Sequence, residues 1–486
     1  MLSSQNHESH DFQRKNSQAS LEKFLHSKGA GLVFLRGRRR VGKSNLLKSF
    51  QIKNLKKCFY FTGALDEGGQ ETIKRFILEW SKFNPLSKLR YSDARLINWK
   101  VIFEEIHQDI KSSLQDTWIF FDEIQWLAKA RNGFVGLFKE AWIDFEKLHN
   151  IKIILCGSSN KFFIDNAGGE EKILRGLVTR SDIYLRPFYP EEVKRYFGKN
   201  ISNQEAMFLY MCFGGIPYYL NKFNFSLGFL TAFNNAVMQE SSIFLNEVNE
   251  VLNLDFNKKG LTSIVKIFAA FKQRYATFET LQENSKLAGS TLSEALEKLV
   301  QYGLITENIG VLSNAKKKTR YFYYTDFYLS FYFRFLVKHK VKVKKNFEHN
   351  LFVPLLSSKG SLYIENFTGI AFENYVQYLI EHMPSNYKLL KELEIAVDEE
   401  FTVLPDFRCD LLVKSEGVKV LRLIECKWSN NNSVVQDGIR QLGAVDMDGQ
   451  YEGYVIKKYV VTNCEVTAAT RRLGGKLGVT VLRVGV

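Results

Sequence analysis

The sequence predicts an α/β fold at both ends of the chain, with a helical, hairpin-bearing segment between them. Three observations predict it. Short apolar runs at 31–35, 117–121 and 151–156 read as buried strands of a parallel sheet. Residues 261–324 read as three short helices followed by a hairpin with a basic tip. From about residue 361 a helix leads into two strands that carry an acid and an acid–lysine pair. A chain of 486 residues fits roughly two to four domains, and a hydrophobic content of 45% supplies their cores.

The first strand, Gly31-Leu32-Val33-Phe34-Leu35, runs into Gly37-Arg38-Arg39-Arg40-Val41-Gly42-Lys43-Ser44. This fits G-x-x-x-x-G-K-[ST], the phosphate-binding loop. Gly37 and Gly42 let the backbone curl with its N–H groups inward, a nest for phosphate oxygens. Lys43 adds a point charge at the outer phosphates, and the Ser44 hydroxyl is a ligand for Mg²⁺. Asn45 opens a helix in which Leu46, Leu47 and Phe50 recur at helical spacing, so the loop ends on a helix N-terminus that favours anions. The nucleotide contacts expected here run from Gly37 through Arg38, Arg39, Arg40, Val41, Gly42, Lys43 and Ser44 to Asn45.

A metal-holding carboxylate and a water activator belong with such a loop. Thr117-Trp118-Ile119-Phe120-Phe121-Asp122-Glu123 offers both. Asp122 falls at the carboxyl end of the strand, where ligands collect in open α/β sheets. It would hold Mg²⁺ through the ion's water shell, and Glu123 would orient and deprotonate the attacking water. The strand at Ile151–Cys156 ends in Gly157-Ser158-Ser159-Asn160. Ser158, with Ser159 as the alternative, is the expected sensor of the γ-phosphate or the lytic water.

Five stretches in order, GRRRVGKS, FFDEIQWL, ILCGSSN, LVTRSDIYLRPF and GGIPYYL, resemble the archaeal-type ATPases of the AAA+/STAND superfamily, which also occur in bacteria. The resemblance covers roughly residues 12–225. It implies ATP as the ligand, a helical lid after the α/β core, and an arginine finger or phosphate sensor at Arg180, with Thr179 where the family commonly has Gly. It also implies that Pro217, in Gly214-Gly215-Ile216-Pro217, closes over the nucleotide base.

Beyond Leu261 the pattern changes. Residues 261–273 read as an amphipathic helix, 278–283 as a second, and Ser290-Thr291 as the hydroxyl cap of a third that buries Leu296, Leu299 and Val300. A strand from Ile305, a Lys316-Lys317-Lys318-Thr319-Arg320 tip and the run Tyr321–Tyr324 complete a winged helix-turn-helix, whose helix can enter a DNA groove and whose wing can meet phosphates. The alternative is that the module is a protein-contact or lid domain whose lysines only solubilise the hairpin. The aromatic run Tyr324–Phe335 reads as core, and Lys338–Lys345 as a basic, solvated linker.

The last segment holds Glu373 on a leading helix, Asp410 in a strand over 406–413, and Glu425-Cys426-Lys427 in a strand over 421–428. On a strand, Glu425 and Lys427 share a face, and hairpin pairing brings Asp410 beside Glu425. Two carboxylates and the Cys426 carbonyl make a hard oxygen site for Mg²⁺, and Lys427 would position a water for attack on phosphorus. The arrangement resembles the PD-(D/E)XK nuclease superfamily, with Glu373 as the helix-borne acid and Gln436 or Gln441 as substrate contacts. Cys409 stands where that family usually has an apolar residue.

The expected organisation is therefore a P-loop ATPase core at 1–190, a helical lid at 191–254, a winged helix at 255–335, a basic linker at 336–360 and a PD-(D/E)XK nuclease-like α/β domain at 361–486. A net charge of 67 − 52 = +15 favours a polyanionic partner, with DNA the default. Six scattered cysteines without a C-x-x-C pair, a polar start and no membrane-length apolar run point to a cytoplasmic protein with no membrane partner. The function expected is an ATPase whose nucleotide state controls a DNA-directed, Mg²⁺-dependent nuclease, with a homo-oligomer as one way for Arg180 to act. The alternatives are an ATP switch or DNA-binding regulator whose C-terminal domain is catalytically silent, and a motor that remodels protein or DNA complexes.

Overall fold

The computed structural model describes residues 15–485 apart from 55–56, 66, 114, 130–132, 168–173, 175–181, 253–257, 311–318, 340–361, 363, 365–366, 407 and 448–450. Arg180, Thr179, the Lys316–Lys318 tip and most of the basic linker lie outside the described residues. The chain divides into two compact units, one running to Pro187 and including 216–218, the other made of 188–215 and 219–486.

The first unit is built on a five-stranded sheet of β1 (Gly31–Arg36), β2 (Cys58–Thr62), β3 (Thr117–Asp122), β4 (Ile151–Gly157) and β5 (Ile183–Tyr184), in the order β2-β3-β4-β1-β5. Every neighbouring pair is parallel. The sheet is covered on both faces, which explains why its strands read as continuous apolar runs. Leu32, Phe34, Phe61 and Phe121 face one core with Trp80, Trp99 and Phe138. Val33, Leu35, Trp118 and Phe120 face the other with Leu47 and Phe50. Because all strands run the same way, the loop after Arg36, the acid Asp122 and the serine after Gly157 emerge along one edge. Ile151–Cys156 is the fourth strand in chain order, since β2, an aromatic run between two helices, precedes β3.

In the second unit, helices Pro190–Phe197, Asn203–Phe213 and Phe229–Val237 come first. Ser202 caps the second of these, accepting from the Glu205 N–H at 3.2 Å while the Glu205 carboxylate accepts from the Ser202 N–H at 2.6 Å. Helices Lys258–Ala270, Phe278–Ser285 and Gly289–Gln301 follow, with an antiparallel sheet of β6 (Ala276–Thr277), β7 (Ile305–Gly310) and β8 (Thr319–Tyr324) in the order β6-β8-β7. The third helix starts before its expected hydroxyl cap. Ala288 is the cap, its carbonyl taking the Leu292 N–H at 2.9 Å, so Ser290 and Thr291 sit in the first turn. Arg320, at the described end of the hairpin, pairs with Glu307 across the strands. The aromatic run is core, and its helix Phe327–Phe331 opens into a π-helical turn at Tyr332–Leu336.

The C-terminal sheet joins β9 (Thr402–Leu404), β10 (Leu411–Ser415), β11 (Val420–Lys427), β12 (Val455–Thr462) and β13 (Val479–Arg483) in the order β13-β12-β11-β10-β9. β9, β10 and β11 are antiparallel, and β11, β12 and β13 parallel. Helices Thr368–His382 and Asn432–Gly443 both pack on β11. The expected strand over 406–413 is shorter. β10 begins at Leu411, because the Asp406 carboxylate is taken by Arg408 at 2.8 Å in the turn that precedes it.

Candidate functional site

The phosphate loop leaves β1 and enters helix Lys43–Lys53 through Gly42, whose φ of 93° is left-handed and open to glycine at little cost. Val41 is fully buried and anchors the loop, and Arg40 lies 4.1 Å above the Tyr218 ring. Lys43 is 4% exposed, and its Nζ donates to the carbonyls of Gly37 at 2.7 Å and Arg38 at 3.1 Å. The charge is thus held inside the loop. Arg38 and Arg39 are half-buried on the loop, and Asn45 is exposed at the start of the helix. Pro217 opens a single helical turn, Pro217–Leu220, and groups with this unit although Gly214 and Gly215 do not.

At the same edge of the sheet, Asp122 is 1% exposed. Its Oδ1 accepts the Glu123 N–H at 2.9 Å and its Oδ2 accepts the Tyr60 hydroxyl at 2.5 Å. Burial, then the Asp122 charge, pushes the Tyr60 phenol well up, so it stays a donor. Glu123 has a φ of 51°. Its carboxylate accepts from the Gln125 amide and from the Ser158 hydroxyl, the latter at 3.3 Å. Ser159 instead caps the next helix, accepting the Phe162 N–H at 3.1 Å. Of the two serines, Ser158 is the one at the acid.

Sequence reading missed Tyr60 and Gln125. Tyr60 belongs to β2, whose Cys-Phe-Tyr-Phe-Thr run has strand composition and was the available signal. Gln125 follows Glu123 by two, in the first turn of helix Ile124–Lys129, and its amide returns to the Glu123 carboxylate. Its Oε1 is buried with no hydrogen-bond partner among the described residues. An unsatisfied acceptor beside a glutamate and a serine fits a water or a ligand donor at that point. The Lys43, Ser44, Asp122 and Glu123 set therefore fits a nucleotide with its Mg²⁺.

A second group of charges lies in the C-terminal sheet. The register that pairs Leu411 with Ile424 carries Asp410 to the level of Glu425. Asp410 Oδ2 accepts the Cys426 N–H at 2.7 Å, which holds the acid to β11 beside Glu425. Lys427 pairs with Glu425 at 2.5 Å. Helix Asn432–Gly443 closes over this pair at Gly438, where a Cβ would stand 2.9 Å from Lys427 Cε. Burial raises the Asp410 and Glu425 carboxyls, with Asp410 adding to the shift of Glu425. Burial opposes the Lys427 charge, but Glu425 and Asp410 outweigh it and its pKa goes up.

Glu373 stands differently. Its helix packs Phe372 against Trp428, with ring centroids 5.3 Å apart. Burial, then Asp410, pushes the Glu373 carboxyl up to about 8. Arg274, from the segment between helix Lys258–Ala270 and β6, comes within 3.8 Å of it. Arg274 is 4% exposed and donates to Asn374 Oδ1 at 3.0 Å, to the Asp410 carbonyl at 2.6 Å and to Gln377. Among the described residues no group of three or more His, Cys, Asp or Glu side chains is placed to hold a metal ion. The expected trio of Glu373, Asp410 and Glu425 shares an electrostatic field without forming one ligand shell. Gln436 bonds Thr470 at 3.0 Å, and Gln441 is exposed. No helix among the described residues is long and apolar enough to cross a membrane.

No curated protein matches the chain. A Walker-type ATPase of Pyrococcus abyssi has a similar fold at 20% identity and a TM-score of 0.51, covering 66% of this chain and 96% of its own. The ORC2 protein of Aeropyrum pernix, solved as ADPNP–ADP complexes, gives 10% identity and a TM-score of 0.42 over 71% of this chain and 95% of its own. The ORC1 protein of the same organism, solved in complex with DNA, gives 14% and 0.36 over 70% and 93%. Residues 12–223 match the family described as the ATPase domain predominantly from Archaea, so that this part of the chain is an archaeal-type ATPase domain on a parallel-sheet α/β P-loop core.

Proposed function

We propose that ATP binding and hydrolysis by residues 12–223 control a DNA-directed, Mg²⁺-dependent nuclease site built on β10 and β11. In the first unit, Lys43 leaves the loop carbonyls for the outer phosphates, exchanging neutral acceptors for charged ones in a buried setting. Glu123, oriented by Ser158 and Gln125, takes the proton of the water that attacks the γ-phosphorus. Mg²⁺ beside Ser44 and Asp122 would neutralise charge on the phosphates. Arg180 and Pro217 are assigned their sensor and base-closing roles on the sequence resemblance.

The observation that carries the nuclease reading is Asp410, held by the Cys426 N–H at the level of Glu425, with Lys427 paired to Glu425. Asp410, Glu425 and the Cys426 carbonyl would hold Mg²⁺, which would polarise a phosphodiester. Lys427 would orient the attacking water, whose oxygen forms the new P–O bond as a sugar oxygen leaves. The three helices and three strands of residues 258–324 read as a winged helix, and the +15 net charge favours a nucleic-acid backbone as the partner.

The second reading is an ATP switch with a silent C-terminal domain. It is favoured by the absence of a three-ligand group among the described residues and by the Arg274 cation beside Glu373. Cleavage of linear and circular DNA with Mg²⁺ or Mn²⁺, with and without ATP, separates the two. Cutting that disappears in Lys427→Ala and responds to Lys43→Ala is expected from the nuclease reading. Intact ATP hydrolysis with no cutting under any condition selects the switch.

A further inference from the structure

The hydroxyl of Tyr60 reaches a carboxylate assigned to the Mg²⁺ side of the nucleotide. It donates to Asp122 Oδ2 at 2.5 Å.

The bond has a chemical consequence. A carboxylate whose Oδ1 takes the Glu123 N–H and whose Oδ2 takes a phenol cannot rotate. Mg²⁺ demands near-ideal octahedral geometry, so its affinity is sensitive to how well its partners are fixed beforehand. Tyr60 is placed for this by the sheet: β2 pairs with β3 so that Thr62 lies level with Asp122, and Tyr60 lies one pleat earlier on the same face.

We propose that Tyr60 is a positioning residue that sets the Mg²⁺ dependence of nucleotide binding by fixing the Asp122 carboxylate. The proposal rests on the reading of Asp122 as part of the metal side of the ATP site. Tyr60 does not touch the reacting phosphorus in this scheme, and its loss leaves the loop contacts to phosphate in place.

The test compares ATP affinity in EDTA with ATP affinity in Mg²⁺ for the full chain, which needs no turnover, and adds the Mg²⁺ concentration for half-maximal hydrolysis. Tyr60→Phe keeps the ring and removes the hydroxyl. Its affinity in EDTA is expected within about 2-fold of the parent chain, while the gain from Mg²⁺ falls about 3- to 10-fold and the half-saturating Mg²⁺ rises by a similar factor. Tyr60→Met, apolar and of similar reach, should behave alike and stands in if the phenylalanine variant folds poorly by its melting temperature. An unchanged or larger gain from Mg²⁺ in a folded variant overturns the proposal, as does a parent chain whose ATP affinity ignores Mg²⁺. Lys43→Ala separates the two levels: if it leaves ATP affinity intact the nucleotide-site reading itself fails, and if it abolishes binding only the role of Tyr60 is at stake.

Discussion

The Arg274 guanidinium donates to the main-chain carbonyl of Asp410 across 2.6 Å, linking positions 136 residues apart in the chain. Its other donors go to Asn374 and Gln377, and Glu373 lies 3.8 Å away. Arg274→Met leaves a buried carboxyl and a buried carbonyl without this partner. It is expected to destabilise the second unit by about 3–5 kcal/mol, read as a lower midpoint in chemical denaturation. Arg274→Lys should recover little of that loss, because a single ammonium cannot reproduce the fork that reaches three acceptors.

Glu123 is expected to act on the rate and not on binding. Glu123→Gln keeps the shape and an acceptor for Ser158 but removes the base. Hydrolysis should fall about 10²- to 10⁴-fold with ATP affinity nearly unchanged, measured by steady-state phosphate release beside a direct binding titration. A parallel loss of affinity would remove Glu123 from the role of base.

Gly438 tests whether Lys427 must lie where helix Asn432–Gly443 allows it. A Cβ there stands 2.9 Å from Lys427 Cε and 3.5 Å from Glu425 Cγ. Gly438→Ala should cost about 1–3 kcal/mol by overpacking and should reduce any metal-dependent DNA cleavage more than it reduces folding. Cleavage and melting measured on the same sample distinguish the two effects.

Glu399 and Arg422 form a buried pair, 5% and 1% exposed, at 2.8 Å. Burial works against the Glu399 charge, but Ser415, the Ala396 N–H and Arg422 outweigh it and hold the carboxyl below its usual 4.5. A depressed folded pKa gives stability that is present above the unfolded value and is lost as pH falls through the folded one. Glu399→Gln should therefore melt below the parent chain at neutral pH, and the gap should narrow only below about pH 4.5.

What was legible in the sequence is what chemistry writes locally. The loop Gly37–Ser44 and the acids Asp122 and Glu123 sit in short stretches whose spacing is dictated by phosphate and metal, and Ser158 follows from its place at a strand end. Glu425 and Lys427 were legible through strand periodicity. Tyr60 was not, because its role depends on β2 lying next to β3, a matter of sheet order. Arg274 was not, because no local pattern joins it to Asp410. Glu373 was legible as a buried acid on a helix, but its nearness to Arg274 was not, since that cation comes from a segment about a hundred residues earlier in the chain.

The left-handed backbone of Glu123 has a consequence for stability. A glutamate held at a φ of 51° is strained by about 1–3 kcal/mol, and glycine at the same place would relax it. With Glu123 as the base proposed above, the most stable sequence at this position is an inactive one. Glu123→Gly would then trade turnover for folding stability.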